Sequence, residues 1–226
     1  STHCISSAAS DVYKRQIDAC TTMAIQLERR VVSVDYRRAP EHRFPQAAED
    51  CYEVARQLYA GTLLEDVDPE NVVLFGDSAG GNLALVLCHR LKAAGRRLPG
   101  ALVLMSPWTD MTMSGASYAE RAESDPMLTP EYIEAVRTAY AGGRDYASPD
   151  LSPLFADLTG FPPTLIQAGD HEILYSDAEM LCHALERAGV PCRFEVSEGM
   201  WHVFQMFPLR KAAAAMESVA RFLLER

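Results

Sequence analysis

The chain has 226 residues, enough for one substantial core, and no glycine-, proline- or serine-rich linker divides it into two domains. Its formal net charge of −10, with no basic cluster, would repel a phosphate backbone and argues against nucleic acid as a partner. No apolar run approaches the roughly 18 residues that span a bilayer, and nothing reads as a signal peptide, so a soluble, cytoplasmic protein is expected, with no membrane partner.

In chain order, Arg30-Val31-Val32-Ser33-Val34-Asp35-Tyr36 reads as a buried strand, and Gln46 to Tyr59 has helical spacing. Asn71 to Phe75 is the next predicted strand, Gly81 to Ala94 a helix, and Gly100 to Met105 a further strand. From Pro107 to Pro153 the alternation stops. This stretch is polar and rich in Met, Ser, Asp and Gly, with one predicted helix starting near Pro130, a residue suited to a first helical turn. It is read as an insertion over the sheet. Strand Thr164 to Ala168, helix Ser176 to Ala188, strand Cys192 to Val196 and a helix from Leu209 to Leu224 follow. Strands separated by helices predict an α/β fold with a mainly parallel sheet covered on both faces. The six cysteines, Cys4, Cys20, Cys51, Cys88, Cys182 and Cys192, include no Cys-x-x-Cys pair and are read as reduced core thiols; no Cys or His cluster offers a metal site.

The chemistry centres on Gly76-Asp77-Ser78-Ala79-Gly80, a Gly-x-Ser-x-Gly pattern between an apolar strand and a helix. A sharp turn there lifts the serine above the sheet. The backbone is strained at Ser78, and strand and helix crowd together so closely that Gly76 and Gly80 must be small. The Ala79 N–H, at the helix start, is placed to stabilise a developing oxyanion.

A serine hydroxyl needs a base, and the base needs a third group to hold it. Among the six histidines only His202 falls in a polar loop between the last strand and the last helix, within Glu198-Gly199-Met200-Trp201-His202. The order serine, acid, histidine then puts the acid after strand Thr164 to Ala168, where Asp170, Glu172 and Asp177 are candidates. The residues alone do not choose among them, and each also suits a solvated loop or a helix N-terminus.

With these residues in place, the chain from about Ile17 onward resembles the hormone-sensitive-lipase-like (GDSAG) group of α/β-hydrolases. The resemblance is carried by Asp35-Tyr36-Arg37-Arg38-Ala39-Pro40-Glu41-His42-Arg43-Phe44-Pro45, Gly76 to Gly81, Ser106-Pro107-Trp108-Thr109-Asp110, Asp125-Pro126-Met127-Leu128 and Ser152-Pro153-Leu154-Phe155. It implies an α/β-hydrolase fold and a serine carboxylesterase that hydrolyses short- to medium-chain acyl esters without cofactor or metal. It maps the acid to Glu172, with Asp170 as runner-up, giving Ser78, Glu172 and His202 as catalytic residues and Ala79 as oxyanion donor. His42 is implied to be a structural residue beside the core, residues 107–153 a lid and pocket region, and a homodimer a recurrent assembly. Two alternatives within the same fold are a ligand-binding pseudoenzyme, against which His202 argues, and a serine peptidase.

The family's His-Gly-Gly-Gly-like oxyanion loop has no counterpart here, since Gly61 is the first glycine. Asp11-Val12-Tyr13-Lys14-Arg15-Gln16 is what a transposon-end adapter encodes in one frame, so residues 1–16 are read as a non-native segment and 17–226 as an incomplete catalytic domain. On that reading a central strand beside Val31 to Tyr36 is missing, and its neighbours are left with unpaired backbone groups or forced to pair with each other. Loss of one oxyanion donor costs about 10²–10³ in rate, so weak or no activity is expected from the chain as written.

Overall fold

The computed structural model describes residues 3–6 (backbone only), 20–21, 24–25 and 28–225. Six strands form one sheet: β1 (His3–Ser6), β2 (Arg30–Ser33), β3 (Val72–Asp77), β4 (Ala101–Met105), β5 (Thr164–Gly169) and β6 (Cys192–Ser197), in the order β2-β1-β3-β4-β5-β6 with every neighbouring pair parallel. The helices that alternate with them are α1 (Gln46–Tyr59), α2 (Ala79–Ala93), α3 (Ser117–Glu120), α4 (Pro130–Ala141), α5 (Tyr175–Arg187) and α6 (Arg210–Leu224).

The expectation of a missing central strand is corrected here. His3–Ser6 lies between β2 and β3, with Cys4 opposite both Val31 and Val73. Strand pairing satisfies backbone N–H and C=O groups whatever the side chains, so a slot flanked by two strands accepts any short segment that can extend. β2 ends at Ser33, three residues before the predicted limit, where it pairs with Ser6 of β1. Beyond that point burial still alternates, with Val34 and Tyr36 buried and Asp35 exposed.

Successive residues of the central strands point to opposite faces, and both faces are covered, which is why these strands read as continuous apolar runs. Val72, Leu74, Leu102, Leu104 and Ile166 pack with residues of α1, α2 and α5. Val73, Phe75, Ala101, Val103 and Leu165 meet Val219 and Phe222 of α6. A buried side chain of this kind contributes about 1.5–3 kcal/mol each, so the sheet is anchored from both sides.

Residues 107–153 hold a core of their own, in which Trp108, Met111, Tyr118, Leu128 and Ile133 pack with Ile173 and Leu174 of the β5–α5 loop. The helix α4 begins as expected at Pro130, after Thr129, whose hydroxyl accepts the Tyr132 N–H at 3.2 Å, and ends at Gly142 with a left-handed φ of 62°. The short α3 had no signal in the sequence. Arg37 grips Asp50 of α1 through Nη2 at 2.8 Å and Nε at 3.0 Å, which ties the Asp35–Pro45 segment to the sheet's helical cover and holds Asp50 below the usual carboxylate range. His42 is exposed, so it does not pack beside the core as the resemblance implied.

Candidate active site

β3 runs straight into α2 through Ser78, whose φ of 53° and ψ of −119° place a non-glycine residue in a sparsely populated region. Such a conformation costs on the order of 1–3 kcal/mol and persists only where its surroundings over-determine it. They do so here. The Ser78 N–H donates to Met105 O at 2.9 Å, and the Ser78 carbonyl accepts the Trp108 N–H at 3.1 Å. Gly76 is obligatory, since a Cβ there would lie 2.4 Å from Gly80 O. Ala79 is the first residue of α2, so its N–H precedes any intrahelical acceptor.

The three carboxylates weighed after β5 go to three different partners. Glu172, fully buried, accepts the Gly169 N–H at 2.8 Å through Oε1, and its Oε2 lies 2.9 Å from His202 Nδ1. A carboxylate can only accept, so this pairing puts the proton on Nδ1 and leaves Nε2 of His202 as the basic nitrogen. Asp170 instead accepts the Gly199 N–H at 2.6 Å. Asp177 accepts the Thr109 and Asp110 N–H groups at 2.8 and 2.9 Å. Among the described residues no hydrogen bond joins Ser78 Oγ to His202. The two are carried beyond the ends of β3 and β6 of the same parallel sheet, and burial pushes the carboxyl of Asp77, beside the nucleophile, up to about 6. Catalytic hydrogen bonds of this type are often long before substrate binds.

The loop that carries His202 is held close to β5. Gly169 allows this, because a Cβ there would sit 2.2 Å from Met200 O. The His171 N–H donates to Met200 O at 3.0 Å, and the Val203 N–H donates to Ser106 Oγ at 2.9 Å. Sequence reasoning gave no role to Ser106, Gly169 or Asn82. Asn82 is buried in α2, where its side-chain amide donates to Trp108 O at 2.9 Å and Leu151 O at 2.8 Å, fixing the nucleophile's helix to the 107–153 region. A lone polar residue in the otherwise apolar stretch Ala79 to Cys88 was the signal available for it. Beside Ala79 lies a cavity of about 410 Å³, lined on its apolar side by Leu83, Trp108, Met111 and Val136.

A strained serine at the end of a central parallel strand, with a buried carboxylate and imidazole paired on the loops beyond, defines the class of α/β folds built around a nucleophile elbow. Within that class the chain belongs to the α/β-hydrolase fold family, whose profile matches residues 3–206, and to its hormone-sensitive-lipase-like branch. The match begins inside the segment read above as adapter-derived. An esterase of Acinetobacter venetianus is 36% identical over 205 residues, covering 89% of this chain and 66% of that protein. An acetyl-hydrolase of Streptomyces hygroscopicus is 38% identical over 195 residues, covering 85% of this chain and 64% of its own length. The chain thus spans about two thirds of the length of these curated relatives. A solved esterase from the bacterial hormone-sensitive lipase family superposes with a TM-score of 0.91 at 34% identity, covering 98% of this chain and 75% of that one. Among the described residues no helix is long and apolar enough to cross a membrane.

Proposed function

We propose that this chain is the catalytic region of a serine carboxylesterase acting on short- to medium-chain acyl esters, with Ser78 as nucleophile, His202 as base and Glu172 as the acid that holds it. The observation that carries this reading is the buried Glu172–His202 pair at 2.9 Å, set beyond the strand ends that present Ser78 in its strained turn. His202 Nε2 takes the Ser78 proton as Oγ attacks the ester carbonyl, and the carbonyl oxygen, now negative, is met by the Ala79 N–H. Collapse expels the alcohol, which leaves with the proton from His202. Water then attacks the acyl-enzyme with His202 again as base, releasing the carboxylic acid and restoring Ser78. Glu172 keeps the ring in one tautomer throughout and offsets the imidazolium charge. The apolar wall of Leu83, Trp108, Met111 and Val136 beside Ala79 suits an acyl chain of a few carbons.

Relatives described as an esterase and an acetyl-hydrolase support this reading. A further similar structure, with a TM-score of 0.92 at 31% identity, was soaked with p-nitrophenyl butyrate, which recommends that ester as the probe. The chain itself carries no glycine-rich oxyanion loop, so its own rate is expected to be low. The test is hydrolysis of p-nitrophenyl butyrate by this chain and by a version with a His-Gly-Gly-Gly-type loop in place of residues 7–16, each beside its Ser78→Ala variant. The loop is expected to raise the rate by about 10²–10³, and Ser78→Ala to abolish it in both. Undiminished hydrolysis in Ser78→Ala would refute the assignment. A folded, loop-bearing chain that binds ester analogues without turnover would make this a ligand-binding protein instead.

A further inference from the structure

Ser106, the first residue of the motif Ser106-Pro107-Trp108-Thr109-Asp110, has no part in the mechanism above, yet it stands between the two halves of the candidate site. Met105 O accepts the Ser78 N–H at 2.9 Å, and the Trp108 N–H donates to Ser78 O at 3.1 Å, so residues 105 and 108 bracket the nucleophile. Ser106, between them, is fully buried and has a left-handed φ of 46°. Its own N–H is anchored to Gln167 O of β5 at 2.7 Å. With its backbone fixed on both sides, its hydroxyl reaches across to the next loop and accepts the Val203 N–H at 2.9 Å.

Val203 directly follows the base. It too is left-handed, with φ 50° and ψ 41°, a conformation that a β-branched residue adopts only when held. Two further backbone clamps on the His202 loop, Asp170 on Gly199 and His171 on Met200, come from the β5–α5 loop that supplies Glu172, and Lys211 of α6 holds the Glu198 carbonyl at its start. The first two fix the base relative to its acid. Ser106 clamps the same loop from the end of β4, whose Met105 carbonyl accepts the Ser78 N–H.

We infer that Ser106 is a positioning residue that sets the distance between His202 and Ser78, acting through the Val203 backbone. This rests on the reading of Ser78 and His202 as nucleophile and base. A serine and base set even 1 Å apart from their productive geometry lose about 10² in rate, although each is chemically intact.

The test follows covalent labelling of Ser78 by diethyl p-nitrophenyl phosphate, read by mass spectrometry from pH 5 to 9, in the full chain and in its Ser106→Ala, Ser106→Cys and Ser78→Ala variants. Rates are taken per folded molecule, with the folded fraction measured by circular dichroism, so that a loss of stability does not register as a loss of positioning. Labelling is expected to fall about 10–100-fold in Ser106→Ala, with a smaller loss in Ser106→Cys, whose thiol is a weak acceptor. The pH dependence is expected to keep its shape while its plateau falls, since the Glu172–His202 pair is untouched. Equal plateaus in the parent chain and both Ser106 variants would overturn the inference and leave the nucleophile assignment standing. No labelling of Ser78 in the parent chain would overturn that assignment and the inference with it.

Discussion

Glu172 owes its place in the candidate site to what its two oxygens meet. One is held by the Gly169 N–H and the other faces His202, while Asp170, two residues earlier, turns to the Gly199 N–H. The two acids therefore make opposite predictions. Glu172→Gln keeps the shape but can present an N–H to Nδ1, which favours the wrong tautomer; kcat for p-nitrophenyl butyrate is expected to fall about 10³–10⁴ with KM little changed. Asp170→Asn retains an oxygen for Gly199 and is expected to stay within about fivefold, the worth of roughly 1 kcal/mol. Steady-state kinetics of both variants decide it, and a larger loss in Asp170→Asn would reassign the acid.

The first turn of α5 does more than the usual work of an acidic helix start. Asp177 reaches out of its own helix to the backbone of Thr109 and Asp110, and the neighbouring Ser176 and Ser117 exchange hydrogen bonds with each other's N–H at 3.0 and 2.9 Å. These contacts clip the 107–153 region to the element that follows Glu172. Burial pushes the Asp177 carboxyl up to about 8, opposed by the two backbone N–H groups and reinforced by the nearby Asp110 charge. The Tyr118 hydroxyl acts on the same carboxyl as a hydrogen-bond partner and, like the backbone N–H groups, works against that rise. A raised folded-state value means that the folded protein holds a proton the unfolded chain releases above about pH 4. Stability from this group is therefore greatest below that pH and declines as pH rises toward 8, after which the loss is complete. Asp177→Asn supplies a permanent donor in the same shape. Urea denaturation from pH 5 to 8 should show the parent chain losing stability relative to Asp177→Asn as pH rises, and parallel curves would contradict this.

At the scale of the molecule the sheet is continuous from β2 to β6, and β1 is the strand that makes it so. Ile5 pairs with Val32 on one side and Leu74 on the other. Ile5→Pro removes a ladder N–H at an interior strand, and one buried hydrogen bond left unmade costs about 1–3 kcal/mol. A drop in unfolding free energy of that size is expected in denaturation, and an unchanged midpoint would show that these residues do not bridge the sheet.

By itself the sequence determined the rhythm of strands and helices from Arg30 onward, the glycine-flanked turn at Ser78 and the single histidine placed to serve it. Those features are local: hydrophobic period, residue size at a tight turn, and order along the chain. What only the tertiary structure decided was which carboxylate meets His202, what holds the loop that carries it, and what fills the slot beside β3. Glu172 and His202 are 30 residues apart and Ser106 and Val203 are 97 apart, so their meeting depends on parallel strands laid side by side. The β1 slot is filled through backbone hydrogen bonds, to which side-chain patterns are blind.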